Sequence, residues 1–207
     1  MKKIMFNDKY GLTQAVLEGR KTQTRRIMKP QPEDCSAVHR FYKSAYWKDK
    51  PMSLVVSEDG SVYCKLCGYG AKLEGDSIFR LPYKVGEIVA VAQSYNSFYN
   101  DECNPNLFPN GAGWTNKMYV RPELMPHQIR ITDVRIERLR DISEPNCMAE
   151  GICYYGNYGF SWDRHSKCFH DLREAYAALI DKISGKGTWE SNPYVFVYDF
   201  ELVKKWE

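Results

Sequence analysis

Eight consecutive residues, Gly19 to Arg26, concentrate the groups best suited to chemistry. They hold the cations Arg20, Lys21, Arg25 and Arg26 and the hydroxyls Thr22 and Thr24. Arginine and lysine bind phosphate oxygens, and threonine adds a hydrogen bond. A lysine near a threonine has a second use. If burial or neighbouring cations lower its basicity, the free amine takes a proton from the hydroxyl and makes it a nucleophile. Arg20, Arg25 and Arg26 are the neighbours placed for that effect. The same residues also suit a solvated strand edge, where charge discourages aggregation.

Three other groups carry possible chemistry. Cys64 and Cys67, followed by Gly68, have the spacing that grips one zinc ion. A tetrahedral site needs two more ligands, and Cys35 with His39 is the upstream pair of suitable spacing. A single Cys-x2-Cys equally suits a zinc-free hairpin with two ordinary thiols, so no metal and no cofactor are assigned. His39, His127, His165 and His170 are scattered, without a serine or cysteine in a nucleophile motif. Glu150 closes a short helical pattern, at the end where the helix dipole disfavours a carboxylate. A buried Lys21 partner would offset that.

The elements that position these groups follow from hydrophobic periodicity. Residues 3 to 6 read as an opening strand. Leu12, Ala15 and Val16 form a helical stripe that Gly19 stops, and Thr22 to Met28 is strand-like. The basic segment thus spans a helix end and a strand start. A hairpin is expected over Leu54 to Tyr63, with its turn at Glu58-Asp59-Gly60. Ile88 to Ala92 is a buried strand. Ile129 and Ile131 alternate out of phase with Val134 and Ile136, which a bulge near Thr132-Asp133 reconciles. Ser143 and Pro145 open a short helix that ends at Gly151. Leu172, Ala175, Tyr176, Leu179, Ile180 and Ile183 line one helix face, with Gly185 beyond it. Tyr194 to Val203 closes the chain as a strand. Segments of about 30–83, 96–117 and 153–170 are aperiodic and read as insertions.

With 207 residues, 27% of them charged and 14% aromatic, the chain suits a folded protein that needs no disulfide staples. Its net charge of +3 is too small to mark a nucleic-acid binder, so the clustering of charge matters more. Seven irregularly spaced cysteines disfavour a secreted disulfide framework. The opening apolar stretch is too short for a signal peptide, and no run reaches a membrane span. A reduced, cytoplasmic protein is expected, with no membrane partner.

The residues also match a known pattern. Gly19-Arg20-Lys21-Thr22-x-Thr24-x-Arg26 resembles the signature of the ASCH domain, a relative of the PUA RNA-binding barrel. Gly86 to Val91 is similar to its Gly-Asp-x-Leu-x-Val strand. Arg130-Ile131-Thr132, Asp141-Ile142-Ser143 and Ala149 to Ile152 resemble its central strand and helix, and Asn192 to Phe200 its last strand. The likeness runs from end to end but skips the three insertions. It implies an α+β, mainly β fold: one PUA-like small β-barrel over residues 1–207, with about three packed helices; His127, directly after Met125-Pro126 and before a strand, is placed to line its mouth.

A small bacterial member of that family is an amidohydrolase acting on N4-acetylcytidine. Its lysine, threonine and glutamate match Lys21, Thr24 and Glu150, which the resemblance implies as catalytic residues. Arg20, Arg25 and Arg26 are the implied substrate or RNA contacts. The chain departs from the pattern at Arg25, where the small enzyme has an apolar residue. It departs again at Gln93, within Ala92-Gln93-Ser94-Tyr95, where larger relatives have Arg-Glu-Thr-Trp. Binding of RNA or a modified nucleoside is the first expectation. Hydrolysis of an N4-acylated cytidine is the alternative, and a protein-interaction module of a mobile element is the third.

Overall fold

The sheet is built on two long strands. In the computed structural model, which describes residues 1–29, 31, 54–57, 62–64, 81–99 and 111–203, β6 (Gln128–Arg138) runs antiparallel to β9 (Tyr194–Val203). Three further strands join them: β1 (Lys2–Ile4), β2 (Gln23–Ile27) and β5 (Ile88–Val91). The order is β1-β5-β6-β9-β2, with β1 parallel to β5 and the other pairs antiparallel. The fold is therefore α+β with a mainly β core.

The expected bulge is present. The β6–β9 register shifts by one residue between Ile131 and Asp133, which leaves Thr132 as the extra residue. Ile129, Ile131 and Val134 all reach the core as a result. Among the described residues a closed barrel is not formed by strand pairing: β1 and β2 each have one neighbour there. β1 is only three residues long, and the chain turns into a 3-10 helix at Asp8–Tyr10 before it can reach further. Side chains bridge the two ends instead. Arg26 on β2 donates to the Met5 carbonyl at 2.6 Å, and the Phe6 and Phe200 rings lie 5.7 Å apart.

The hairpin of β3 (Leu54–Val56) and β4 (Val62–Cys64) forms as expected and packs against β6, with Leu54 and Val62 in the core. Its turn, and Cys35, His39 and Cys67, lie outside the described residues. Among the described residues no helix is long and apolar enough to cross a membrane.

Four α-helices occur among the described residues: α1 (Leu12–Leu17), α2 (Glu144–Ala149), α3 (Leu172–Ser184) and the single turn α4 (Thr188–Ser191). α1 buries Leu12, Ala15 and Val16. α2 packs on β2, and α3 packs on α2 and α4. Ser143 is the N-cap of α2 but makes no side-chain capping bond, and Pro145 fills the first turn. Asp171 caps α3 by accepting from the Glu174 amide at 2.9 Å. The α3 stripe is buried as read, except that Ile183 is exposed. Because helices cover one face of the sheet and the core the other, Val195 and Val197 are as buried as Phe196 and Tyr198.

The segment 153–170 holds more order than its composition suggests. β7 (Cys153–Tyr154) pairs with β8 (Phe160–Ser161), and Phe160 also bridges Phe169.

Candidate functional site

β2 is the element on which the site depends. Among the described residues it pairs with β9 alone. The Phe200 amide bonds the Thr22 carbonyl and the Met28 amide bonds the Tyr194 carbonyl. Ladder alternation then turns the peptide groups of Gln23, Arg25 and Ile27 outward. A cavity of about 770 Å³ runs along this edge, within the size range of small-molecule sites. Its walls come from Phe6 after β1, from Asp8, from α3 and from the loop at Lys117. Lys21, Thr24, Arg25, Arg26 and Glu150 all line it, so the structure brings five of the six expected residues together. Arg20 is the exception. It turns away to Glu18, at 2.6 Å, and to the Cys153 sulfur, at 3.3 Å.

Lys21 and Glu150 meet at the junction of β2 and α2. Gly151, at a φ of 104°, ends α2 where a Cβ would stand 3.6 Å from the Lys21 Cβ. The Thr22 amide bonds the Ala149 carbonyl at 2.9 Å, which fixes the two segments side by side. Lys21 Nζ then donates to Glu150 Oε2 at 2.5 Å and to the Glu150 carbonyl at 2.8 Å. The buried lysine thus serves the helix end that the dipole makes unfavourable for a carboxylate. Burial pushes the Lys21 ammonium below the ordinary lysine range; Glu150 works against that shift, and Arg26 and Arg25 add to it. Its Nζ also lies 5.9 Å from the Phe6 ring centroid.

Arg25 is held by a ring of polar side chains. It sits on the sheet face that also carries Gln23, Asp199, Arg135 and Glu137, because residues opposite one another in register share a face. There it donates to Gln23 Oε1 at 2.5 Å and to Glu137 Oε2 at 3.0 Å. Gln23 donates to Asp199, Asp199 pairs with Arg135, and Arg135 returns to Glu137. This ring across three strands holds the Arg25 guanidinium so that it also reaches Glu150 Oε1 at 3.2 Å. Glu150 therefore offers one oxygen to each of two buried cations. Arg25's role in the structure is to fix Glu150, with its Nε left over.

Thr24 and Arg26 point to the opposite face of β2, beside Tyr198 and Phe196. Among the described residues the Thr24 hydroxyl has no hydrogen bond to Lys21, although both line the cavity. Arg26 has no carboxylate partner among the described residues; it bonds Met5 and lies 5.7 Å over the Phe6 ring. Lys117 is tied to Asp8 at 2.7 Å and to Thr13 at 3.2 Å.

Several residues of the site carry no signal in the sequence. Tyr176 reads as one more core position of α3, yet it lines the cavity with its hydroxyl buried and unpartnered among the described residues. Burial, and next the charge of Glu150, hold that phenol well above its ordinary range, so it stays a neutral donor. The Nε atoms of Arg25 and Arg26 are likewise buried without partners there. Lys117 comes from a segment read as an insertion. Phe6 and Asp8 reach the site only through the turn after β1. Conversely, His127 and Gln93 bond one another at 2.8 Å, and neither lines the cavity. Cys147, below Glu150, is no nucleophile: burial pushes its thiol up to about 11. Among the described residues no cluster of His, Cys, Asp and Glu is arranged to hold a metal. The chain matches no protein-family model, no curated protein and no solved structure.

Proposed function

We propose that the cavity beside β2 binds a nucleotide unit, either an RNA nucleotide or a modified nucleoside. The observation that carries this reading is the excess of cationic side chains in the wall of the cavity. Arg25, Arg26 and Tyr176 line this cavity, and each also holds a buried donor with no partner among the described residues, which is costly to the fold. Five cationic side chains line that cavity against two carboxylates, so an acceptor-rich anion fits it. Arg26, with no carboxylate partner among the described residues, is the anchor for a phosphate. The likeness to the ASCH signature points the same way. On this reading the curled, open sheet is a PUA-like barrel of the ASCH type whose closure is left to Arg26 and Phe6.

Calorimetric titration with cytidine monophosphate tests this. Arg26→Ala should weaken binding at least tenfold, and affinity should fall as salt rises. Absence of any binding by the wild-type protein would sink the reading.

One observation favours a second reading, in which the site is an amidohydrolase. A lysine whose basicity is lowered stands in the same cavity as a threonine hydroxyl. As the free amine, Lys21 would take the Thr24 proton while the Thr24 oxygen attacks an acyl carbonyl carbon. Collapse of the tetrahedral adduct breaks the C–N bond, and the Lys21 ammonium returns the proton to the leaving amine. Water then releases the acyl group from Thr24. Glu150 holds Lys21 throughout, and the Tyr176 hydroxyl is a donor for the developing oxyanion. Incubation with N4-acetylcytidine, followed by chromatography, decides this. Turnover abolished by Lys21→Ala and by Thr24→Ala supports it, and no turnover at high enzyme concentration removes it.

A further inference from the structure

A second surface lies on the hairpin of β7 and β8. Tyr154 and Tyr158 are 62% and 78% exposed, and with Tyr155 and Arg164 they border a hollow of about 830 Å³. The hairpin is a fixed scaffold. Phe160 and Phe169 exchange backbone bonds of 2.7 and 2.8 Å. Gly159 has a φ of 96°, and a Cβ there would stand 2.2 Å from the Phe169 carbonyl oxygen, so only glycine fits. Trp162 buries its ring beneath, next to Phe169. Exposed aromatic rings on a rigid frame lose little entropy when a partner stacks on them.

Charge selects the partner. The nearby carboxylate, Asp163, is taken up by the His165 and Ser166 amides at 2.7 Å and by the Ser166 hydroxyl at 2.9 Å. Arg164 is exposed and makes no ion pair among the described residues, and Lys167 is exposed beside it. The surface joins the basic segment directly. Arg20, next to Lys21 in the chain, donates to the sulfur of Cys153, next to Tyr154.

We propose that this hairpin is a stacking platform for single-stranded nucleic acid. Tyr154 and Tyr158 take bases on their ring faces, and Arg164 meets the backbone phosphates. Every base has a π-face, so such a platform tolerates sequence and supplies length-dependent affinity. The proposal extends the reading of the cavity as a nucleotide site. The platform holds nucleotides flanking the one in the cavity.

The test uses a fluorescently labelled ten-nucleotide RNA and its DNA counterpart in anisotropy titrations, with cytidine monophosphate titrated separately. The double variant Tyr154→Ala/Tyr158→Ala should bind the oligonucleotide about 10- to 100-fold more weakly and cytidine monophosphate as before. Tyr158→Phe should bind like wild type, because the ring face is kept. Arg164→Ala should reduce the salt slope by about one phosphate. Both tyrosines are exposed, and thermal melts should confirm that the variants fold. Undiminished oligonucleotide binding by the double variant overturns the platform, as does a wild-type protein that binds neither oligonucleotide. If the oligonucleotide binds through the tyrosines while cytidine monophosphate does not bind, the platform stands and the cavity reading falls. If the monophosphate binds and the tyrosines are dispensable, the reverse holds.

Discussion

Two adjacent cations of one segment meet opposite fates. Arg20 pairs with Glu18 at the surface, with side chains 39% and 43% exposed. Lys21 pairs with Glu150 in the interior, with side chains 2% and 6% exposed. The chemistry of the pairs is alike, and the solvent is what differs. Water screens the first pair and supplies alternative partners, so its loss matters little. The second pair has been taken out of water, so each ion depends on the other.

The largest effect should come from Glu150→Ala. It leaves Lys21 and Arg25 buried and short of an acceptor, and should cost about 3–5 kcal/mol in urea denaturation. Lys21→Met is the informative contrast. Glu150 would keep Arg25 as a partner, so the loss should be smaller, about 1–2 kcal/mol. Equal losses would mean that the two cations do not share the carboxylate as the distances indicate.

The lowered Lys21 pKa gives a pH test with a definite sign. Between its folded value and its ordinary value of 10.5, the unfolded chain binds more protons at this position than the folded one. Stability from this group therefore rises with pH across that window, and the penalty of the charged form is complete below it. Relative to Lys21→Met, the wild-type protein should gain stability as pH rises toward 10. Parallel curves for the two proteins would remove the burial argument.

Tyr176→Phe should act in two directions. Deleting a buried, unpartnered hydroxyl relieves its desolvation, so the free protein should be unchanged or more stable by up to about 1 kcal/mol. Nucleotide binding, read by calorimetry, should weaken several-fold. A variant that is destabilised yet binds normally would show that the hydroxyl serves the fold.

Much of the frame was legible in the chain because it rests on local periodicity. The α1 and α3 stripes, the β2 and β9 strands and the bulge at Thr132 each follow from a few neighbouring residues. Lys21, Thr24, Arg25 and Arg26 were legible for the same reason, standing in one run. Glu150 came through the family likeness, with the helix dipole as independent motive for a buried cation beside it. Closure was not legible: whether β1 reaches β2 depends on three residues of strand and a turn at Asp8. Tyr176 was hidden because a helix stripe marks it as buried without saying that the residue also lines a cavity. Arg25 carries a second role that the chain alone did not show. Its charge suggested a ligand contact; its register beside Gln23, Asp199 and Glu137 also ties it to other side chains.

The smallest effect should come from Arg20→Ala, and its smallness is what tests the comparison. Glu18 accepts from Gln14 at 2.9 Å as well as from Arg20, and its carboxyl is held below the ordinary range first by Gln14. It therefore keeps a partner when Arg20 is removed, and water reaches both ends of the broken pair. The change in stability should stay within about 0.5 kcal/mol and shrink further at 1 M salt, where the screening length falls to about 3 Å. A loss near that of Glu150→Ala would mean that exposure does not separate the two pairs. The contact to Cys153 would then be the place to look, since it links Arg20 to the hairpin independently of Glu18.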